Sequence, residues 1–426
     1  MTIIISIIIL FLILYLNFSL KKNFWDASSL FLIENLFLVL VAFQFFFGEY
    51  QFEGSVFIWL DFVCLVFVLG TLAGNSIYIK IWQTTNTKDD STIVIKQHTC
   101  NRRYYMFLAT FICLGIIGAL LQLFSYGFNL SSFRSVESFL AMNAKVASNR
   151  YSGSESSVST FTQILLCFSY ASPLLGGYLL SISKGKFRKM LCVLSLLPIV
   201  IIMLYTNTKV GFVASVFLIA TGYIVGYQRN FATYPIISAK TIVLLIFGAM
   251  AFVAVLILVM SIRIGELSFQ TLQVVVGKFM DYGFGEIKAL DVWFANYNEG
   301  GHDMGYNTFM AVFNFIGIGT KKQGVYELLP GATSNVFTGY RGVIMDFGLI
   351  GGIIFYALLG LLSGIASSKI KYSQKSLFSM FFLMSVYFFN FHSLLISPWV
   401  YTSYILAFII CIFAAIISEK VSFAWV

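Results

Sequence analysis

The sequence predicts an all-α, polytopic membrane helix bundle of about eleven transmembrane helices, a single integral membrane domain over residues 1–426. Three observations carry this expectation. Charged residues make up 11% of the chain and apolar ones 59%, with mean hydropathy +0.88, whereas a soluble globular chain carries about 25% charged residues. Apolar runs of the length a bilayer needs, about 20 residues, recur from one end to the other. The basic residues, finally, gather on alternate connections. A larger soluble core does not absorb the apolar excess, because single cores stop growing near about 250–300 residues. Barrel strands alternate in polarity over only about 10 residues, and the runs here are unbroken, so helices are expected.

Taken in order, the spans are expected at 1–20, 27–47, 56–79, 104–126, 160–182, 190–206, 210–228, 241–260, 343–366, 376–396 and 399–418. The first run ends in Lys21-Lys22 with no small-residue cleavage site and reads as a retained helix. The sixth and seventh are separated only by Thr206-Asn207-Thr208-Lys209, which makes either a tight hairpin or a locally broken element. Two segments are too long for turns, 127–159, which is Ser-rich, and 262–342. A structureless loop of about 80 residues is improbable. Its apolar stretches Phe269–Phe279 and Phe309–Phe315 are therefore expected to be short amphipathic or interfacial helices. No internal repeat is visible, which weakens a transporter built from inverted repeats.

One set of alternate connections holds 17 of the 27 Lys and Arg residues, from Lys21 and Lys22 through Lys184–Lys189 to Lys420. The other set holds 10, of which 6 lie in 262–342. Cytoplasmic loops carry the Lys/Arg excess, so the N-terminus is expected outside and the C-terminus in the cytoplasm, with both long segments outside. Acidic residues run the other way, with Asp26, Asp89, Asp90 and Glu419 on the inner side. The net charge of +9 follows from those loops and not from a nucleic-acid partner. The six cysteines are scattered, most of them inside apolar runs, with no metal-ligand spacing, and read as small hydrophobes.

Polar chemistry concentrates in the second long segment. Charges at or inside the membrane boundary are functional candidates by default, and Arg341 and Asp346 stand where an apolar span begins. They either pair and anchor the helix end or serve a site. His302 lies beside Glu299 and Asp303. It is a solvated loop histidine, or a general base, since imidazole titrates near neutral pH. A metal site is not expected from one histidine. His98 falls on an inner loop, and His392 begins a polar break between the last two spans. Lys209 sits on an outer turn where a lipid phosphate would lie, although snorkelling alone accounts for a basic residue there. Arg134, Lys145 and Arg150 add outer positive charge that suits an anionic ligand. The glycines of Gly283-Phe284-Gly285 and of Gly348–Gly352 permit tight turns or close helix approach, and no nucleotide-loop pattern occurs.

Three stretches together resemble one family. They are YTNTKVGFVASVFL at 205–218, SIRIGE followed by YGFGEIKALDVWF within 261–294, and NVFTGYRGVIMDFGLIGGIIFY at 335–356. The chain resembles the bacterial oligosaccharide repeat-unit polymerases, the Wzy-type O-antigen and capsule polymerases, which are related to the O-antigen ligases. With the hydropathy layout the resemblance covers nearly the whole chain. Relatives more often carry Arg on the short outer turn. Lys209 keeps the charge but loses the bidentate fork.

The resemblance implies a GT-C-like membrane glycosyltransferase acting on glycans linked to undecaprenyl pyrophosphate in the bacterial inner membrane. It implies a membrane-lipid partner and a chain-length regulator protein, with no cofactor, no metal and no nucleic acid. Arg341, Arg263 and Lys209 would stabilise the pyrophosphate leaving group. His302, Asp303 or Glu299 would position or deprotonate the attacking hydroxyl, and Tyr306, Asn335 and Tyr340 would line the sugar path. A ligase-like transferase shares these features. A flippase or transporter would place more charge within its spans than Glu34 and Asp61.

Overall fold

The computed structural model describes residues 1–46, 52–85, 102–152, 158–206, 209–236, 269–298, 300–318, 338–373 and 376–420, with isolated positions between 243 and 257. All regular structure among them is helical. Among the described residues eight stretches are long and apolar enough to cross a membrane, and two further helices, Ala27–Phe43 and Leu377–Ser393 in their apolar parts, are shorter. These ten coincide with ten of the expected spans. The span expected at 241–260 lies largely outside the described residues. The protein is thus a membrane-embedded helical chain.

The chain divides into two compact units. The first comprises Met1–Gly70, Pro235–Gly360 and Ser393–Val400, and the second Thr71–Tyr234, Leu361–His392 and Tyr401–Val426.

In the first unit, helix α1 (Thr2–Lys21) packs on α2 (Ala27–Phe46). Their connection is short because Lys22 takes a left-handed conformation, φ 53°, and Asp26 starts α2. Its carboxylate accepts from the Ser29 backbone N–H at 2.7 Å and pairs with Lys21 at 2.9 Å. An N-cap carboxylate of this kind satisfies a donor the helix cannot. Helix α3 (Ser55–Thr85) continues six residues beyond the expected end of its span. Ser6 on α1 donates to Asp61 on α3 at 2.7 Å, within the apolar layer.

The second unit is organised around α6 (Thr160–Ile182), which packs on α4 (Arg102–Ser125), on α9 (Val210–Phe231) and on α14 (Thr402–Lys420). The α6–α9 seam is close because it is built from glycine. A Cβ on Gly177 would collide with the Ile219 carbonyl, and one on Gly222 with the Leu174 carbonyl. Small residues of this kind are how membrane helices approach without a hydrophobic drive between them.

Three expectations change, and one segment left open is filled in. The Ser-rich segment 127–159 contains a helix, α5 (Val136–Ser152), with Ser135 accepting from the Ser138 N–H at 3.2 Å. Met142 on α5 buries against Leu123 and Tyr205. The span expected at 190–206 is two helices, α7 (Lys186–Leu194) and α8 (Leu197–Thr206). This break falls at Ser195-Leu196, ahead of Pro198, which has no N–H to offer the ladder; α8 ends at Thr206 and α9 begins at Val210, with Asn207 and Thr208 of the polar knot outside the described residues. The stretch from Phe269 is one helix of 27 residues, α10 (Phe269–Ala295), whereas Met310–Phe315 is a separate short helix, α11. The last difference matters most. The span expected at 343–366 belongs to α12 (Gly339–Ser373), which is broken at Gly348 with φ 73°, ψ 179°. The remaining helix, α13 (Leu377–Ser393), follows it.

The α12 break is a fold-back. In a straight helix Tyr340 and Tyr356 would stand about 24 Å apart at 1.5 Å per residue, yet their ring centroids are 5.7 Å apart. A Cβ on Gly352 would lie 3.6 Å from Val343 Cγ1. Residues 339–347 therefore form a short arm lying against the helix that follows. The backbone at Gly348 is in a region essentially reserved for glycine. Trp59 on α3 fastens the turn. Its indole N–H donates to the Leu349 carbonyl at 3.1 Å, and its ring meets Tyr340 and Tyr356 edge-on.

Candidate functional site

The short arm carries Arg341 beside α10 and the loop 300–309. Arg341 is 4% exposed, and its guanidinium lies 5.1 Å from the centroid of the Trp293 ring. That is a cation–π placement that holds a charged fork in one orientation. Trp293 in turn stacks near Tyr297, centroids 4.8 Å apart, whose hydroxyl donates to the Ile344 carbonyl at 3.3 Å. The arm and the C-terminal end of α10 are thus pinned to each other at two levels.

Around this seam opens a cavity of about 290 Å³, lined by Trp293, Tyr297, Asn296, Asn298, Asp303 and Arg341 among others. Aromatic faces, amides, one carboxylate and one buried cation share its wall. Such a lining suits a ligand with both hydroxyls and negative charge.

Asp303 is held there by a hydrogen-bonded chain. The Asp346 carboxylate, fully buried, accepts from the Asn307 backbone N–H at 2.8 Å and from Asn307 Nδ2 at 2.9 Å. Its second oxygen accepts from the Thr308 N–H at 2.6 Å. Asn307 Nδ2 also donates to Asp303 Oδ2 at 2.8 Å. The Asp303 and Met304 backbone N–H groups donate to the Met345 and Asp346 carbonyls, each at 3.2 Å. Thr308 is anchored from the other side, its carbonyl accepting from Ser397 Oγ at 2.7 Å. Asp346 therefore orders the loop, while Arg341 faces the cavity. The two stand on the same arm with different partners.

Of the residues singled out from sequence, Arg341 and Asp303 line one cavity. His302 is exposed on the same loop. Tyr306 is half-buried, packing on Phe313 with its hydroxyl 3.5 Å from Asn314 Oδ1. Tyr340 is turned into the interior of the unit, where its hydroxyl donates to Asn35 Oδ1 at 2.6 Å. It supports the fold-back and does not line this cavity. Glu299, Arg263 and Asn335 lie outside the described residues, as does His98. Lys209 belongs to the second unit, at the start of α9. It is half-buried, and burial holds its ammonium below the usual lysine range. His392, also in the second unit, is buried among Phe388, Tyr401 and Tyr404.

No protein-family model, curated protein or solved structure matches the chain. The site is therefore read from its own geometry.

Sequence reasoning did not single out Asn307, Trp293 or Glu286. Asn307 had a faint signal, an amide four residues after an aspartate in a glycine-rich loop. Glu286 is buried on α10, and burial pushes its carboxyl up to about 8. One of its oxygens has no hydrogen-bond partner among the described residues. It stands seven residues before Trp293, on the same face of the helix.

Proposed function

We propose that the protein is a membrane glycosyltransferase that polymerises undecaprenyl-pyrophosphate-linked oligosaccharide repeat units into a surface polysaccharide, O-antigen or capsule. The reading has eleven spans in a GT-C-like bundle of the bacterial inner membrane, N-terminus outside and C-terminus cytoplasmic. The single observation that carries it is the sharing of one open cavity by the buried cation Arg341 and the carboxylate Asp303. Both come from the segment whose charge pattern marks it as outer.

The reaction needs those two groups. A hydroxyl oxygen of the acceptor sugar bonds to the anomeric carbon of the donor as the bond from that carbon to the phosphate oxygen breaks. The electron pair leaves with the lipid pyrophosphate, whose added charge a fixed guanidinium stabilises. The hydroxyl proton passes to a carboxylate, which Asp303 supplies. Membrane lipid surrounds the site, and a chain-length regulator is the protein partner this reading brings with it.

The test is the glycan ladder of a deletion strain complemented with wild type or with Arg341→Ala, protein amount being checked by blot. The expected outcome is a restored ladder for wild type and a single-repeat band for the variant at equal abundance. Loss of all glycan attachment in the deletion strain would move the assignment to a ligase-like transferase or a flippase.

A further inference from the structure

We propose that Asn307 and Asp346 are positioning residues that set the Asp303 carboxylate for proton abstraction. The inference rests on the polymerase reading and assigns residues that reading leaves idle. One amide nitrogen bridges two carboxylates. Asn307 Nδ2 donates to Asp346 at 2.9 Å and to Asp303 at 2.8 Å. An amide has two N–H donors, and this geometry commits both. Asn307 is 2% exposed and Asp346 is fully buried, whereas Asp303 stands in the open wall of the cavity.

Asp346 cannot swing, because three N–H groups hold it and its own backbone carbonyl is taken up by Met304. Its rigidity passes through Asn307 to Asp303 Oδ2. The same arm carries Arg341, five residues earlier. Base and cation are thereby mounted on one scaffold, so their separation is fixed before substrate arrives. A base with one oxygen held by a hydrogen bond loses less rotational freedom in the transition state. Misplacement by about 1 Å costs a reaction of this kind on the order of a hundredfold.

The experiment is a double-mutant cycle on the full chain in proteoliposomes. The substrate is lipid-linked repeat unit extracted from the deletion strain, and the variants are Asp303→Asn, Asn307→Ala, both together, and Arg341→Ala. Melting temperature in detergent confirms that each is folded. Asp303→Asn is expected to lower kcat about a hundredfold, the scale of a lost base, with KM changed less than kcat. Asn307→Ala is expected to lower kcat at least tenfold. The double variant should match Asp303→Asn alone, because a residue acting through Asp303 has nothing left to act on once that carboxylate is gone. If the two losses multiply, Asn307 serves only the loop's structure and the proposal is wrong. If Asp303→Asn turns over like wild type while Arg341→Ala does not, the proposal falls and the polymerase reading stands. If Arg341→Ala also matches wild type, the reading itself fails and takes the proposal with it.

Discussion

Two buried arginines divide the molecule by what surrounds them. Arg229, in the second unit, is 1% exposed. It pairs with Glu419 at 2.7 Å and reaches Tyr178 Oη at 3.3 Å, while Glu419 also accepts from the Tyr104 hydroxyl at 3.0 Å. That network joins α9, α14, α4 and α6, and Arg229 also donates to Met380 Sδ on α13 at 3.2 Å. Arg341, in the first unit, has an indole face on one side and an open cavity on the other. Burying a charge is costly unless it is paired. A charge enclosed by a carboxylate and phenols serves the architecture, whereas one that also lines an open cavity is, on the proposed reading, placed to meet an anionic ligand.

The sharpest way to break this contrast is to exchange chemistry at Arg341. Arg341→Lys keeps the charge and loses the planar fork. It should give short, sparse ladders between wild type and the single-repeat band expected of Arg341→Ala. Equal ladders for Arg and Lys would reduce the residue to a point charge.

A further effect on the ladder belongs to the fold-back. Gly348→Ala forces a side chain into glycine-only backbone, at a cost of about 1–3 kcal/mol. It should lower the melting temperature and the ladder together.

The Arg229 network should answer differently. Glu419→Gln leaves Arg229 without its carboxylate. Loss of one partner of a buried pair costs about 3–5 kcal/mol, and the lower end applies because Glu419 is 28% exposed. Melting should fall while turnover per folded molecule holds. Joint replacement, Arg229→Met with Glu419→Leu, should recover most of the stability. If Glu419→Gln instead shortened the ladder at unchanged stability, the contrast would collapse.

The smallest effect is a pH dependence. Burial raises the Glu286 carboxyl from 4.5 to about 8, so the folded state holds a proton that the unfolded state releases. Its contribution to stability is fully present below about pH 4.5 and is lost as pH rises through about 8. Melting curves from pH 5 to 9 should show this slope in wild type and a flatter one in Glu286→Gln.

The helical class and the places of the eight long apolar helices were legible because lipid imposes a length and a composition that single residues cannot disguise. Arg341 and Asp303 were legible as charges in the long segment 262–342, expected to lie outside. Other features were not, for physical reasons. The Gly348 turn sits in a run apolar enough to pass for one uninterrupted span, and hydropathy is blind to backbone direction. Asn307 became meaningful only when the fold brought Asp346, 39 residues later, against it. Tyr340, expected on the sugar path from the resemblance alone, is turned toward Asn35 by the fold-back.

That fold-back also alters how the chain counts its crossings. Residues 339–347 run up to Gly348 and the helix returns alongside them, so the arm adds apolar sequence without adding to the length of the helix that continues to Ser373. A reporter fused after residue 348 and one fused beyond Ser373 should give opposite sidedness.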